Sequence, residues 1–264
     1  MILSAYIEGI GLLGPGFSDW PTAQPVLTGQ QPYQPSRTVL PVPTLLPAAE
    51  RRRSGAIVKV TLATGLEAVM AAGQDAATLP CVFSASGGDG ENCHAICDML
   101  ATDDRAISPT RFHNSVHNAA AGYWGIATGA MTNASVLCAF DASFGAGLLE
   151  AVTQVAVDDA RTLLLACDTQ YPEPLHSARP ITDTFGIALV LAPQRTAHSL
   201  AQIRVTLTDD PAQQLDDDAL ESLRLGIPAA RGLPLLRAIA LRQDTRLVLD
   251  YLDTRRLAVE VILC

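Results

Sequence analysis

Ser135-Val-Leu-Cys-Ala-Phe-Asp-Ala-Ser-Phe-Gly-Ala-Gly-Leu-Leu-Glu150 sets an apolar run, a turn of small residues and a helical pattern in immediate succession. Ala134 to Ala139 fits a short buried strand, and Phe144 to Ala156 carries helical spacing. A strand that turns straight into a helix is the joint of a layered α/β fold, and it is where such folds expose a nucleophile. The helix N-terminus there brings partial positive charge and free N–H groups, which lower a thiol's pKa and hold an oxyanion. Two residues at this joint are candidates, Cys138 and Ser143. Cys138 falls inside the apolar run, where desolvation opposes ionisation, and is expected in the core. Ser143 is expected to cap the helix. Between them stand Phe140 and Asp141, neither of which replaces a thiolate in acyl transfer.

Upstream of this joint, Ile2 to Leu13 predicts a strand ended by Gly14-Pro15-Gly16. Residues 21 to 47 are punctuated by prolines and predict an extended surface excursion, longer than a usual loop. A helix is expected from Glu50 to Gly73, a strand from Pro80 to Ser84, a flexible turn at Ser86 to Gly90, a helix from Asn92 to Ala101 and a longer helix from Ser108 to Ala127. Downstream, strands are expected at Thr162 to Cys167, Gly186 to Leu191 and Gln202 to Leu207, then a helix at Leu233 to Leu241. Arg246 to Tyr251 and Leu257 to Leu263 predict a closing hairpin. This alternation predicts an α/β fold, a mainly parallel sheet covered by helices on both faces.

The formal charge of −9, with Arg51 to Arg53 as the one basic run, argues against a nucleic-acid partner. Charged residues make up 17%, below the roughly 25% of an average soluble domain, which suggests that part of the surface meets another protein. No apolar stretch reaches the length of a membrane span, and Met1 to Leu13 lacks the basic leader of a signal peptide. Six cysteines, mostly within apolar runs, predict buried thiols and a cytoplasmic protein. His113 and His117 would share a helix face, as would Cys93 and Cys97 beside His94, but zinc needs three or four convergent groups and no metal is expected. The glycines from Gly87 to Gly90 lack the ending of a phosphate loop, and Asp209 to Glu221 lacks calcium-loop spacing and predicts a solvated acidic face. No cofactor is expected.

Ser108-Pro109 followed by Phe112, Ser115, Asn118 and Ala121-Gly122, then Asn133, Val136 and Glu150-Ala151, resembles the central segment of β-ketoacyl synthases of the thiolase-like superfamily. The resemblance spans roughly residues 1 to 193, with its specific residues between 108 and 151. It implies a thiolase-like layered α/β/α fold, with mainly the first half of the ketosynthase fold in residues 1–193 and a reduced C-terminal extension in 194–264 packed on it. In that family a Thr-Ala-Cys type turn supplies the nucleophile. Counting from Asn133 puts its cysteine at Phe140, and counting back from Glu150 puts it at Asp141. The family's two catalytic histidines lie in a second half, whereas only His198 follows His176 here.

A chain without the nucleophile is similar to the chain length factors, which pair with an active ketosynthase. The length and the lead-in from Pro47 to Arg53 are similar to the type found with aryl polyene gene sets. The resemblance then implies a chain that is no enzyme by itself and forms a heterodimer with a catalytic β-ketoacyl synthase in polyketide, fatty-acid-like biosynthesis. An acyl carrier protein would act indirectly, by serving that partner. It places Pro109, Phe112, Asn114, Ser115, Asn118 and Gly122 at the partner interface, Phe112, Tyr123 and Trp124 along a product tunnel, and the Phe140 ring in the pocket a thioester would enter. The alternative is a free-standing acyl-transfer or hydrolytic enzyme using Cys138 or Ser143.

Overall fold

A computed structural model describes residues 2–264. Its strands are β1 (Leu3–Leu13), β2 (Cys81–Ala85), β3 (Ala134–Cys138), β4 (Thr162–Asp168), β5 (Phe185–Ala192), β6 (Ala201–Thr208), β7 (Thr245–Leu249) and β8 (Arg256–Leu263). Its helices are α1 (Trp20–Leu27), α2 (Ala48–Arg53), α3 (Ala56–Ala71), α4 (Gly90–Leu100), α5 (Pro109–His113), α6 (Ala119–Thr128), α7 (Ser143–Asp158), α8 (Leu175–Ala178), α9 (Asp218–Gly226) and α10 (Leu233–Leu241). All eight strands join one sheet in the order β3-β2-β4-β5-β1-β6-β8-β7.

The strands nearest the middle are the most continuously apolar in sequence. Every residue of β4 and β5 is buried, as is β1 from Ile7 onward, because helices cover both faces. On one face α3 and α6 enclose Leu62, Val69, Phe83 and Trp124; on the other α7, α1 and α10 enclose Leu148, Val152, Leu164 and Leu236. Gly9 and Gly11 let α3 lie directly on β1, since a Cβ at Gly11 would sit 1.9 Å from the Thr64 carbonyl oxygen. The strands from residue 201 onward continue the same sheet beyond β1.

The expected mainly parallel sheet is corrected. Only β2 with β3 and β2 with β4 run parallel, and the remaining pairs are antiparallel. Parallel neighbours need a crossover, usually a full helix, and the links from β4 to β5, β5 to β6 and β7 to β8 carry none of that length.

Three local expectations also change. The helix expected across Ser108 to Ala127 is two helices, because Asn114 leaves the helical path and turns its side chain to Arg53 and Tyr123. The proline-rich excursion contains α1, capped by Asp19 through the Thr22 N–H at 2.8 Å with proline in the first turn. The acidic run is not a plain solvated face. Asp217 caps α9, and Glu221 holds the buried Arg224 at 2.6 Å.

Candidate functional site: the β3–α7 elbow

β3 is the sheet's edge strand, and its chain turns through a 3-10 turn at Phe140–Ala142 into α7. The turn places Phe140 at φ 52°, a left-handed conformation that a bulky side chain pays to adopt. Its ring is 62% exposed, so Phe140 fills no pocket in this chain, contrary to expectation. Arg179, just beyond α8, stacks its guanidinium 3.6 Å from the ring centre. The same arginine donates to Asp141 at 2.8 Å, and Arg231 reaches the other Asp141 oxygen at 3.3 Å. Arg231 approaches Asp250, which also pairs with Arg224, so the charge chain runs from the elbow into the C-terminal elements.

Beneath the turn lies Asp168, at the carboxyl end of β4. Its two oxygens accept the Ser86 N–H at 2.7 Å and the Ala229 N–H at 2.8 Å. Burial pushes its carboxyl up to about 6, against the hydrogen bonds from Ser86 and Ala229 and the charge of Arg179. The loop between β4 and β5 is further fastened by the proline-rich strap, where Arg37 donates to Gln170 at 2.9 Å and Thr38 to the Thr184 carbonyl at 2.7 Å.

Both nucleophile candidates take other roles than expected. Cys138 is exposed rather than in the core, because β3 has no neighbour on its outer side. Burial of its sulfur and the charge of Asp168 still push the thiol above its ordinary value, the opposite of activation. Ser143 does not cap α7. It is buried, accepts the Ala139 N–H at 3.1 Å and turns its hydroxyl towards the carbonyls of Ala85 and Phe140. The Ala142 N–H is taken by the Ala139 carbonyl, which removes one donor an oxyanion would use.

Pro109, Phe112, Ser115, Asn118 and Gly122 are exposed, whereas Asn114 is buried, donating to the Arg53 carbonyl at 3.1 Å and accepting from the Tyr123 hydroxyl at 3.2 Å. Tyr123 and Trp124 fill the core beneath α3, with the Trp124 ring against Gly65. A recess of about 30 Å³ beside the elbow is lined by Phe83, Val116, His117, Val136 and Cys138. That is room for one water, far from the several hundred Å³ of a ligand pocket. A larger open cleft of about 700 Å³ lies under the proline-rich strap and shares no lining residue with it. His113 ends α5 and His117 lies in the turn beyond, so they do not share a helix. Among the described residues no three His, Cys, Asp or Glu side chains converge to hold a metal, and no helix is long and apolar enough to cross a membrane. Sequence reading missed Arg179, Arg231 and Asp168; only Asp168 left a signal, as a carboxylate directly after a buried strand.

The profile of the β-ketoacyl synthase N-terminal domain matches residues 24–242, across the elbow, its covering loop and most of the C-terminal elements. The chain belongs to this family. The fold agrees with solved ketosynthase structures. A ketosynthase (ApeO) in complex with its chain length factor (ApeC) from Xenorhabdus doucetiae aligns with a TM-score of 0.73 and 21% identity, over 98% of this chain and 99% of that one. The ishigamide ketosynthase/chain length factor aligns with a TM-score of 0.70 and 14% identity, over 98% and 99%. AntDE:AntF, a type II polyketide synthase acyl-carrier protein in complex with its ketosynthase, aligns with a TM-score of 0.72 and 11% identity, over the whole of both chains. No curated protein matches the chain. Within the β-ketoacyl synthase family, the thiolase-like layered fold expected from the sequence is therefore the fold this chain has.

Proposed function

We propose that this chain is a non-catalytic, chain length factor-like subunit that pairs with an active β-ketoacyl-ACP synthase, in polyketide biosynthesis of the aryl polyene type. The observation that carries the reading is Phe140 at the elbow's strained position. In a strand-to-helix nucleophile elbow the strained residue is the nucleophile, so φ 52° favours Phe140 over Asp141 as the vacated place. A phenyl ring neither attacks a thioester nor accepts a proton.

The two ends of the sheet support pairing along β3. Its far edge, β7, is flanked by the ion pairs Arg246–Asp210 at 2.5 Å and Arg255–Asp209 at 2.9 Å, the charged dressing that discourages strand addition. No ion pair involves β3's own residues among the described ones, the Arg179–Asp141–Arg231 cluster lying beyond its end at the elbow, and Phe112, Val116, Ile126 and Met131 stand exposed in the segment leading to it. Two of the similar structures contain a ketosynthase with a chain length factor, which makes an active ketosynthase the partner of choice, and the carrier protein would then serve that partner. The small recess at the elbow favours a product tunnel made jointly with the partner.

Co-expression with an active ketosynthase of a type that pairs with chain length factors tests the reading. The expected result is a stable complex that extends acyl chains, while the chain alone carries no acyl group. Acylation of the isolated chain that Cys138→Ala abolishes would establish the free-standing enzyme instead, a role that the raised thiol and the committed Ser143 hydroxyl disfavour.

A further inference from the structure

We infer that Phe140, braced by Arg179, is the anchor of this chain's partner face and seats in an apolar pocket of the ketosynthase subunit that adds along β3. The inference rests on the pairing proposed above. It starts from two costs that the isolated chain leaves standing. A non-glycine residue at φ 52° is strained, and a phenylalanine 62% exposed forfeits most of its burial energy. Retaining both at once makes sense where something outside the chain covers the ring.

The ring is also held ready. Arg179 stacks on one face at 3.6 Å and is itself fixed by Asp141 at 2.8 Å, whose other oxygen Arg231 holds at 3.3 Å. An aromatic side chain immobilised before binding loses little entropy on docking, and aromatic and arginine side chains dominate the energetics of interfaces. Position completes the case. β3 ends at Cys138, two residues before Phe140, so the exposed ring stands at the end of the sheet's unpaired edge strand.

The seat must be on a different protein. In a symmetric pair of identical chains the same patch meets itself, so each Phe140 would need a pocket on its own face. The recess there has about 30 Å³, too little for a phenyl ring.

The test compares wild type with Phe140→Gly and Arg179→Ala for binding to the ketosynthase and for thermal stability of the isolated chain. Glycine removes the ring and relieves the left-handed strain, so Phe140→Gly is expected to keep or raise the Tm while weakening the Kd by roughly ten- to a hundredfold. Arg179→Ala is expected to weaken binding less than Phe140→Gly. A Phe140→Gly chain that binds as well as wild type overturns the anchor and leaves the pairing intact. A wild-type chain that forms no complex overturns the pairing itself. Self-association of wild type that Phe140→Gly abolishes overturns the assignment of the pocket to another protein.

Discussion

Asp168 and Ala229 are joined by a 2.8 Å hydrogen bond that links the carboxyl end of β4 to the turn before α10, while the other Asp168 oxygen holds the Ser86 N–H beside the elbow. One carboxylate thus ties the catalytic-type end of the sheet to the C-terminal elements. Its pKa, pushed up to about 6 chiefly by burial, exceeds the ordinary value near 4, so the native state binds this proton more tightly than the unfolded chain. Stability from this group is therefore full below about pH 4 and is lost as pH rises to about 6, by roughly 3 kcal/mol. Asp168→Asn removes the titration but leaves one oxygen for two N–H donors. Urea unfolding between pH 4 and 7 should show wild type losing stability relative to the variant up to about pH 6, with a constant difference above it. Other carboxylates cancel in that difference, and a pH-independent gap would remove Asp168 from the account.

The contact of α3 with β1 leaves no room for a methyl group at Gly11. A Cβ there would meet the Thr64 carbonyl oxygen at 1.9 Å, and backbone cannot yield as a side-chain tip can. Gly11→Ala should destabilise by about 3 kcal/mol or more, at the upper end of overpacking costs. Gly122 in α6 is the opposite case. It has open space where a Cβ would go, so Gly122→Ala should stabilise the isolated chain by about 0.5–1 kcal/mol. Chemical denaturation of the two variants reads both signs.

Thiol accessibility should divide the six cysteines. Cys93, Cys97 and Cys138 are exposed, Cys264 is half-buried, and Cys81 and Cys167 are buried with their thiols pushed up to about 12 by desolvation. Under native conditions at pH 8, a thiol reagent should label three sites readily, Cys264 more slowly, and the last two only after unfolding. Cys138→Ala should remove one of the rapid sites. Rapid labelling of Cys167 would contradict the packing of β4.

The division between what was legible and what was not follows how far each feature reaches along the chain. β4 and β5 could be read because strands buried on both faces are unbroken apolar runs, and the elbow could be read because its strand, turn and helix are consecutive. Strand direction could not, since the antiparallel partners of β1 lie almost 200 residues away in the sequence. The run at β3 reads as a buried strand because hydrophobicity alone cannot distinguish an edge strand from an interior one. That is why Cys138 was expected in the core. α1 escaped notice because its prolines resemble breakers, although Asp19 followed by a first-turn proline is a start signal. At the site, Phe140 and Asp141 were visible in sequence as the residues standing where the family resemblance expects a cysteine. The strained backbone of Phe140 and the arginine stacked on it, 39 positions downstream, exist only after folding.

The contrast between the sheet's two edges gives the most direct check of the proposed partner face. Met131 is 96% exposed, just ahead of β3, and makes no contact that the isolated fold needs. Met131→Glu should leave the stability of the chain within about 0.5 kcal/mol, as surface substitutions do. In the complex it would set an unpaired carboxylate against an apolar surface, costing about 2–5 kcal/mol, or some thirtyfold or more in Kd. Arg246→Glu on β7 reverses a charge at the other end of the sheet. It breaks the pair with Asp210 and sets a carboxylate opposite Glu260, so the isolated chain should lose some stability, with no change in partner binding. Calorimetric titration of the ketosynthase with both variants separates the edges, because loss of affinity at Arg246 with none at Met131 would move the interface to β7 and take β3 out of the pairing.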